Sequence, residues 1–205
     1  MTESGRARYG SADADFLARR ATQMLTSFRR VSSRWPLRTS FALCFVKGVA
    51  SDAVAQRVVE QKDTICVKRN LAFSVFSGAY LGCVQHHIYN ITFTRLFGSS
   101  TAPLVALQKC AADYFVHVPL LYLPSYYAFQ GCVLGDGAWG GIRRLYDMDT
   151  DSGSMPELQK VMRQYTWVFP LVHIINFTLT PVELRVGVVA GASFVWLVAL
   201  SVLSH

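Results

Sequence analysis

Four stretches of this chain contain no Asp, Glu, Lys or Arg: residues 70–94, 114–135, 164–182 and 186–205. Each is close to the ~20 residues that an α-helix needs to cross hydrocarbon. A further stretch, residues 37–59, is apolar but interrupted by Lys47, Asp52 and Gln56. Between these stretches lie the polar breaks that delimit helices. Glu60, Lys62, Asp63, Lys68 and Arg69 precede Asn70, Gly98 to Thr101 form a short turn, and Pro103 opens the next element. Pro119 and Pro124 sit inside the third stretch, where proline kinks a helix and neighbouring helices re-satisfy the freed carbonyls. Residues 132–155, rich in Gly and Asp, read as the one long polar loop. Pro156 then starts a helix that continues to Thr180, and Pro181 separates it from a last apolar run.

The pattern predicts an all-α fold: an integral membrane helical bundle of four spans, plus a segment at 157–180. That segment is either a fifth span or a helix lying along the interface. Residues 35–205 form a single membrane-embedded domain, and residues 1–34 form a leader in front of it. A soluble protein can also bury apolar helices, but four of them in 205 residues leave too little polar surface to cover them.

Composition agrees, at 52% hydrophobic against 16% charged residues, and the net charge of +7 is concentrated at the front. Arg6, Arg8, Arg19, Arg20, Arg29, Arg30, Arg34 and Arg38 face only Glu3, Asp13 and Asp15 there. Phe16, Leu17, Met24 and Leu25 recur among those arginines at helical spacing, so residues 11–30 read as an amphipathic helix. Such a leader suits mitochondrial import, or an arm lying on anionic lipid. No aromatic interleaving or binding motif accompanies the charge, so direct nucleic-acid binding is not expected.

The chemistry-bearing residues are few. Cys44, Cys66, Cys83, Cys110 and Cys132 are odd in number and lack a Cys-x-x-Cys spacing, which argues for reduced thiols. Adjacent His86 and His87 point about 100° apart on a helix, so neither metal nor haem is expected. No phosphate loop, nucleophile elbow, dinucleotide glycine pattern or zinc-protease motif is present, and the chain reads as a non-enzyme without cofactor. What stands out is charge inside apolar segments: Lys47 and Asp52, Lys109 and Asp113, Glu183 and Arg185. Lys109 and Asp113 are spaced so that they share a helix face and can pair directly. Asp52, Lys109, Asp113 and Arg185 are therefore expected either to line a watery path or to staple helices together. Gly78 with Gly82, and Gly187 with Gly191, put two glycines on one face for close helix packing.

Four collinear strings carry a resemblance. They are Gly48-x-x-x-Asp52-x-x-x-Gln56; Gly78-x-x-x-Gly82-x-x-x-His86-x-x-Tyr89; and Lys109-x-x-x-Asp113 followed by Pro119. The fourth runs Trp167-x-Phe169-Pro170-x-x-His173-x-x-Asn176-Phe177-x-x-x-Pro181-x-x-x-Arg185, with Trp196 beyond it. Together they resemble the signature of the Mpv/PMP family of peroxisomal and mitochondrial inner-membrane proteins, over roughly residues 35–204. Cys83, Ile88, Tyr114 and His173 depart from the residues usual in that family. The resemblance implies a low-selectivity channel for small hydrophilic solutes in the mitochondrial inner membrane or, alternatively, the peroxisomal membrane. It also implies a link to mitochondrial homeostasis and reactive-oxygen handling. A homo-oligomer is expected, since four spans enclose little lumen. The alternative is a non-conducting structural or assembly factor.

Overall fold

The computed structural model describes residues 16, 19–20, 22–24, 26–146 and 156–203, with side chains as far as residue 195. Of the expected leader helix, Leu17 and Leu25 lie outside the described residues; Phe16 and Met24 lie on exposed helix.

The described residues are helical and contain no strand. Helix α1 occupies residues 36–59, α2 residues 67–97, α3 residues 103–134, α4 Gly137–Tyr146, α5 Glu157–Leu179 and α6 Arg185–Leu203. The starts follow from local chemistry. Pro36 and Pro103 open α1 and α3, where a missing N–H costs nothing. Gly98 and Gly135 end α2 and α3 with positive φ, a conformation glycine adopts without penalty. Pro181 turns the chain between α5 and α6, its carbonyl accepting from the Leu184 amide at 2.9 Å.

Three of the five long rods are not uniform. Residues Ala55–Val59 of α1, Ser77–Val84 and Ile88–Thr92 of α2, and Asp113–Tyr122 of α3 form wide π-type turns. Pro119 lies in the last of these, where its missing donor prevents an ordinary ladder. No helix among the described residues is long and apolar enough to cross a membrane. Wide turns divide α2 and α3, while α1 and α5 carry internal charges.

The polar loop expected over 132–155 is corrected in part. Gly137–Tyr146 is helix α4, and residues 147–155 lie outside the described residues. Its glycines misled the reading, because here they serve contact. A methyl group on Gly141 would strike the Tyr127 carbonyl, and one on Gly131 would strike the carbonyl of Gly137. Leu145 is fully buried beneath α4, while Trp139 faces outward.

The long helices close into a ring in chain order. Helix α1 packs on α2, α2 on α3, α3 on α5 and α5 on α6, and α6 returns to α1. Helix α4 braces α3 and α5 from outside one end. Close approach holds the α1–α2 seam: a methyl on Gly48 would lie 2.8 Å from Ser74 Cα, and one on Gly82 2.7 Å from the Phe41 backbone. Ser77 donates across the same seam to the Cys44 carbonyl at 2.7 Å.

The distribution of polarity is inverted relative to a water-soluble bundle. Buried side chains include Asp52, Gln56, Asn70, Gln85, Lys109, Asp113, His117, His173, Asn176 and Arg185. Exposed side chains include Val46, Leu71, Leu104, Leu107, Phe115, Leu120, Leu171 and Leu179.

Candidate functional site

The ring encloses two adjoining cavities, each lined from all five long helices. The larger, about 440 Å³, reaches Glu60 and Arg69 at the α1–α2 connection and Gln130 near the end of α3. The smaller, about 210 Å³, reaches inward to Tyr89, His117 and His173. Lys47, Leu81, Tyr122, Phe169 and Ser193 line both and form the junction. Lys47 has no ion-pair partner among the described residues.

At the mouth, Asp52 is held between two helices. Arg69 Nε lies 3.1 Å from Asp52 Oδ1, while the Gln56 and Asn70 amides donate to Oδ2 at 2.6 and 3.2 Å. Gln56 in turn accepts from the Cys66 amide at 2.7 Å, tying the α1–α2 connection to the helix end. Arg69 also pairs with Glu60 at 2.5 Å, and Lys62 reaches the same carboxylate at 2.7 Å. The hydrogen bond from Arg69, then that from Lys62, holds the Glu60 carboxyl down at about 2.

At the inner end, Asp113 is fully buried at the start of the wide turn in α3. His117 lies one turn on, its Nδ1 2.7 Å from Asp113 Oδ1. From α5, the Tyr165 hydroxyl donates to Oδ2 at 2.5 Å, and His173 Nε2 lies 2.7 Å from the Tyr165 oxygen. Tyr165 has one proton and gives it to the carboxylate, so His173 must donate to the tyrosine. This assigns the protons: both imidazoles carry hydrogen on the Asp113 side. Among the described residues, His117 Nε2 and His173 Nδ1 are left as buried atoms without partners. The cluster joins α3 to α5 across the ring.

The expected pair of Lys109 and Asp113 does not form. Asp113 turns to His117 and to α5, and Lys109 Nζ, on a fully buried side chain, has no hydrogen-bond partner among the described residues. Lys109 lies instead 6.0 Å from the centre of the Phe177 ring. Arg185, at the start of α6, lies 5.6 Å from the same centre. Asn176 donates to the Arg185 carbonyl at 3.2 Å. Beside these residues, Tyr89 and Phe93 stack on each other, each meets Phe177 edge to face, and the three close this end of the ring.

Of the residues singled out from sequence, Asp52 sits at the mouth, Asp113 at the inner cluster, and Lys109, Arg185, Asn176 and Phe177 in the closed end. Pro170 lies inside α5, where its carbonyl faces Cys110 Sγ at 3.6 Å. Pro181 makes the α5–α6 turn, and Trp167 points away from the interior with 81% of its surface exposed. The Trp196 side chain lies outside the described residues. Gly78 and Gly82 both face Phe41, and Gly187 faces Leu43, but Gly191 has nothing within 4 Å. His117 and Tyr165 were not singled out, and Tyr89 was named only within the second resemblance string. The spacing Asp113-x-x-x-His117 was a usable signal, whereas Tyr165 could be found only from the fold. Among the described residues, no cluster of three or more His, Cys, Asp or Glu could hold a metal ion.

No curated protein and no solved structure matches the chain. The Mpv17 / PMP22 family model matches residues 158–201, which cover α5, the Pro181 turn and most of α6. That match takes in the stretch from Trp167 to Arg185 that supplies Tyr165's neighbour His173, the Phe177 ring and one of the two buried cations, and over these residues the chain is similar to the Mpv17 / PMP22 family.

Proposed function

We propose that the chain is an integral organellar membrane protein whose helix ring forms a path for small hydrophilic solutes. The observation that carries this reading is the pair of adjoining cavities, lined by every long helix and entered past Glu60 and Arg69. Polar residues inside and leucine, valine and phenylalanine outside suit a body surrounded by lipid. The helical rods supply the length for crossing only if each is taken as a whole through its wide turns, as in residues 67–97. On this reading α5 is a fifth span rather than an interfacial helix, because it completes the ring between α3 and α6. A single ring encloses a narrow lumen, and a homo-oligomer would stabilise rather than create the path. The reading assigns no catalysis and no cofactor. The compartment is the mitochondrial inner membrane, with the peroxisomal membrane as the alternative.

Lys47 at the junction of the cavities is the residue to test. Purified protein reconstituted in liposomes should release a trapped small sugar, and Lys47→Trp should slow that release severalfold at equal incorporation. No release by the wild type, or equal release by both, would refute the path. One observation favours a structural role instead: Asp113 Oδ2 accepts from Tyr165 and lies beside His173, joining α3 to α5, while Oδ1 is engaged by His117 within α3. In that case Asp113→Ala lowers abundance, and wild-type liposomes stay sealed. A fluorescent fusion with and without residues 1–34 decides the compartment and the leader's part in reaching it.

A further inference from the structure

Lys109 and Arg185 are 0% and 3% exposed, and among the described residues neither has a carboxylate within ion-pairing distance. The two nearest carboxylates in sequence are already engaged. Asp113 holds His117 and Tyr165, and Glu183 holds Arg29 at 3.1 Å. Among the described residues, Lys109 Nζ and Arg185 Nε are buried polar atoms without partners. Both cations stand about 6 Å or less from the centre of one ring, Phe177, which offers quadrupole attraction but no counter-charge. Burying one unpaired cation is costly, and burying two beside a common ring is costlier still, because they repel each other. Among the described residues nothing meets that charge, which leaves it open to a bound anion.

We infer that Lys109 and Arg185 form the binding site of a single oxyanion of the phosphate class. A guanidinium presents a planar fork that matches two oxygens of a tetrahedral anion, and an ammonium adds a point charge with freely directed donors. Arg185 is also the first residue of α6, a 19-residue helix, so the positive end of that helix lies at the same place. The site adjoins the α5–α6 turn, at the end of the ring opposite Glu60 and Arg69. It is separate from the proposed path, and it stands even if the ring conducts nothing. Free phosphate and a phospholipid headgroup share the required chemistry.

The test uses the full chain, purified in an uncharged detergent and stripped of phospholipid. Thermal unfolding is followed across a phosphate series at constant ionic strength, balanced with gluconate. The expected result is a saturable rise in Tm of roughly 5–10 °C at a hundredfold excess over Kd. Lys109→Gln and Arg185→Gln should abolish that rise, while Arg95→Gln, an exposed arginine at the end of α2, should keep it. Equilibrium dialysis of the wild type against labelled phosphate reads binding without any variant, and one ion per chain is expected. Competition with phosphatidic acid in micelles separates the sources. Displacement of labelled phosphate marks a headgroup site, and no displacement marks a free-oxyanion site. Failure of the wild type to bind either phosphate or phosphatidic acid would overturn the inference, as would equal Tm rises in the wild type and both glutamine variants.

Discussion

Asp113 is the residue on which the interior turns, since it binds α5 to α3 through Tyr165 and His173 and is held within α3 by His117, in a space without water-exposed surface. Removing one member of such a group leaves the rest buried and unpaired, so Asp113→Ala should destabilise the protein by about 3–5 kcal/mol. Tyr165→Phe deletes one donor and leaves packing intact, and should cost about 1–3 kcal/mol. Thermal unfolding in detergent reads both, and a Tyr165→Phe loss equal to that of Asp113→Ala would show that the cluster is not organised around the carboxylate. Glu60 gives a pH prediction at the mouth. Its carboxyl falls from the usual 4.5 to about 2 in the folded protein, so its contribution is fully present above 4.5. That contribution is lost as pH falls from 4.5 towards 2. Wild type should therefore exceed Glu60→Gln in unfolding temperature near neutrality, with the difference closing across that window. Parallel curves would show that Arg69 and Lys62 do not stabilise the folded state through this group.

Among the elements, the α1–α2 seam depends on bare backbone, and the α6 glycines differ from one another. Gly82→Val should push α1 from α2 and cost about 1–3 kcal/mol by overpacking. Gly191→Ala meets open space in a helix and should be neutral or stabilising by up to about 1 kcal/mol. Equal effects on unfolding temperature would contradict the seam. The extents of α1, α2, α3, α5 and α6 were legible in the chain, because charge-free windows and prolines mark helix bodies and starts. Helix α4 was not, since Gly137, Gly140 and Gly141 signal a loop until Tyr127 and Gly131 are seen beneath them. The pairing of Lys109 with Asp113 was a reasonable inference from one helix face, but a helix has two neighbours one turn away. His117 occupied the other, and α5 supplied the rest. Partners brought in by tertiary structure leave no local spacing to read.

At the scale of the molecule, five rods in chain order form a ring with charged and amide groups inside and hydrocarbon outside. Its interior is open past Glu60 and Arg69 and closed by Tyr89, Phe93 and Phe177. This inversion is the central claim, because it gives both the proposed membrane setting and the proposed solute path a common cause. Cysteine accessibility tests it most directly. On a background freed of native cysteines and reconstituted in lipid, Ser51→Cys and Ser193→Cys line the cavities, and Leu107→Cys faces outward. A charged, water-soluble thiol reagent should label the first two and spare the third. Labelling of Leu107→Cys with protection of Ser51→Cys and Ser193→Cys would contradict the account.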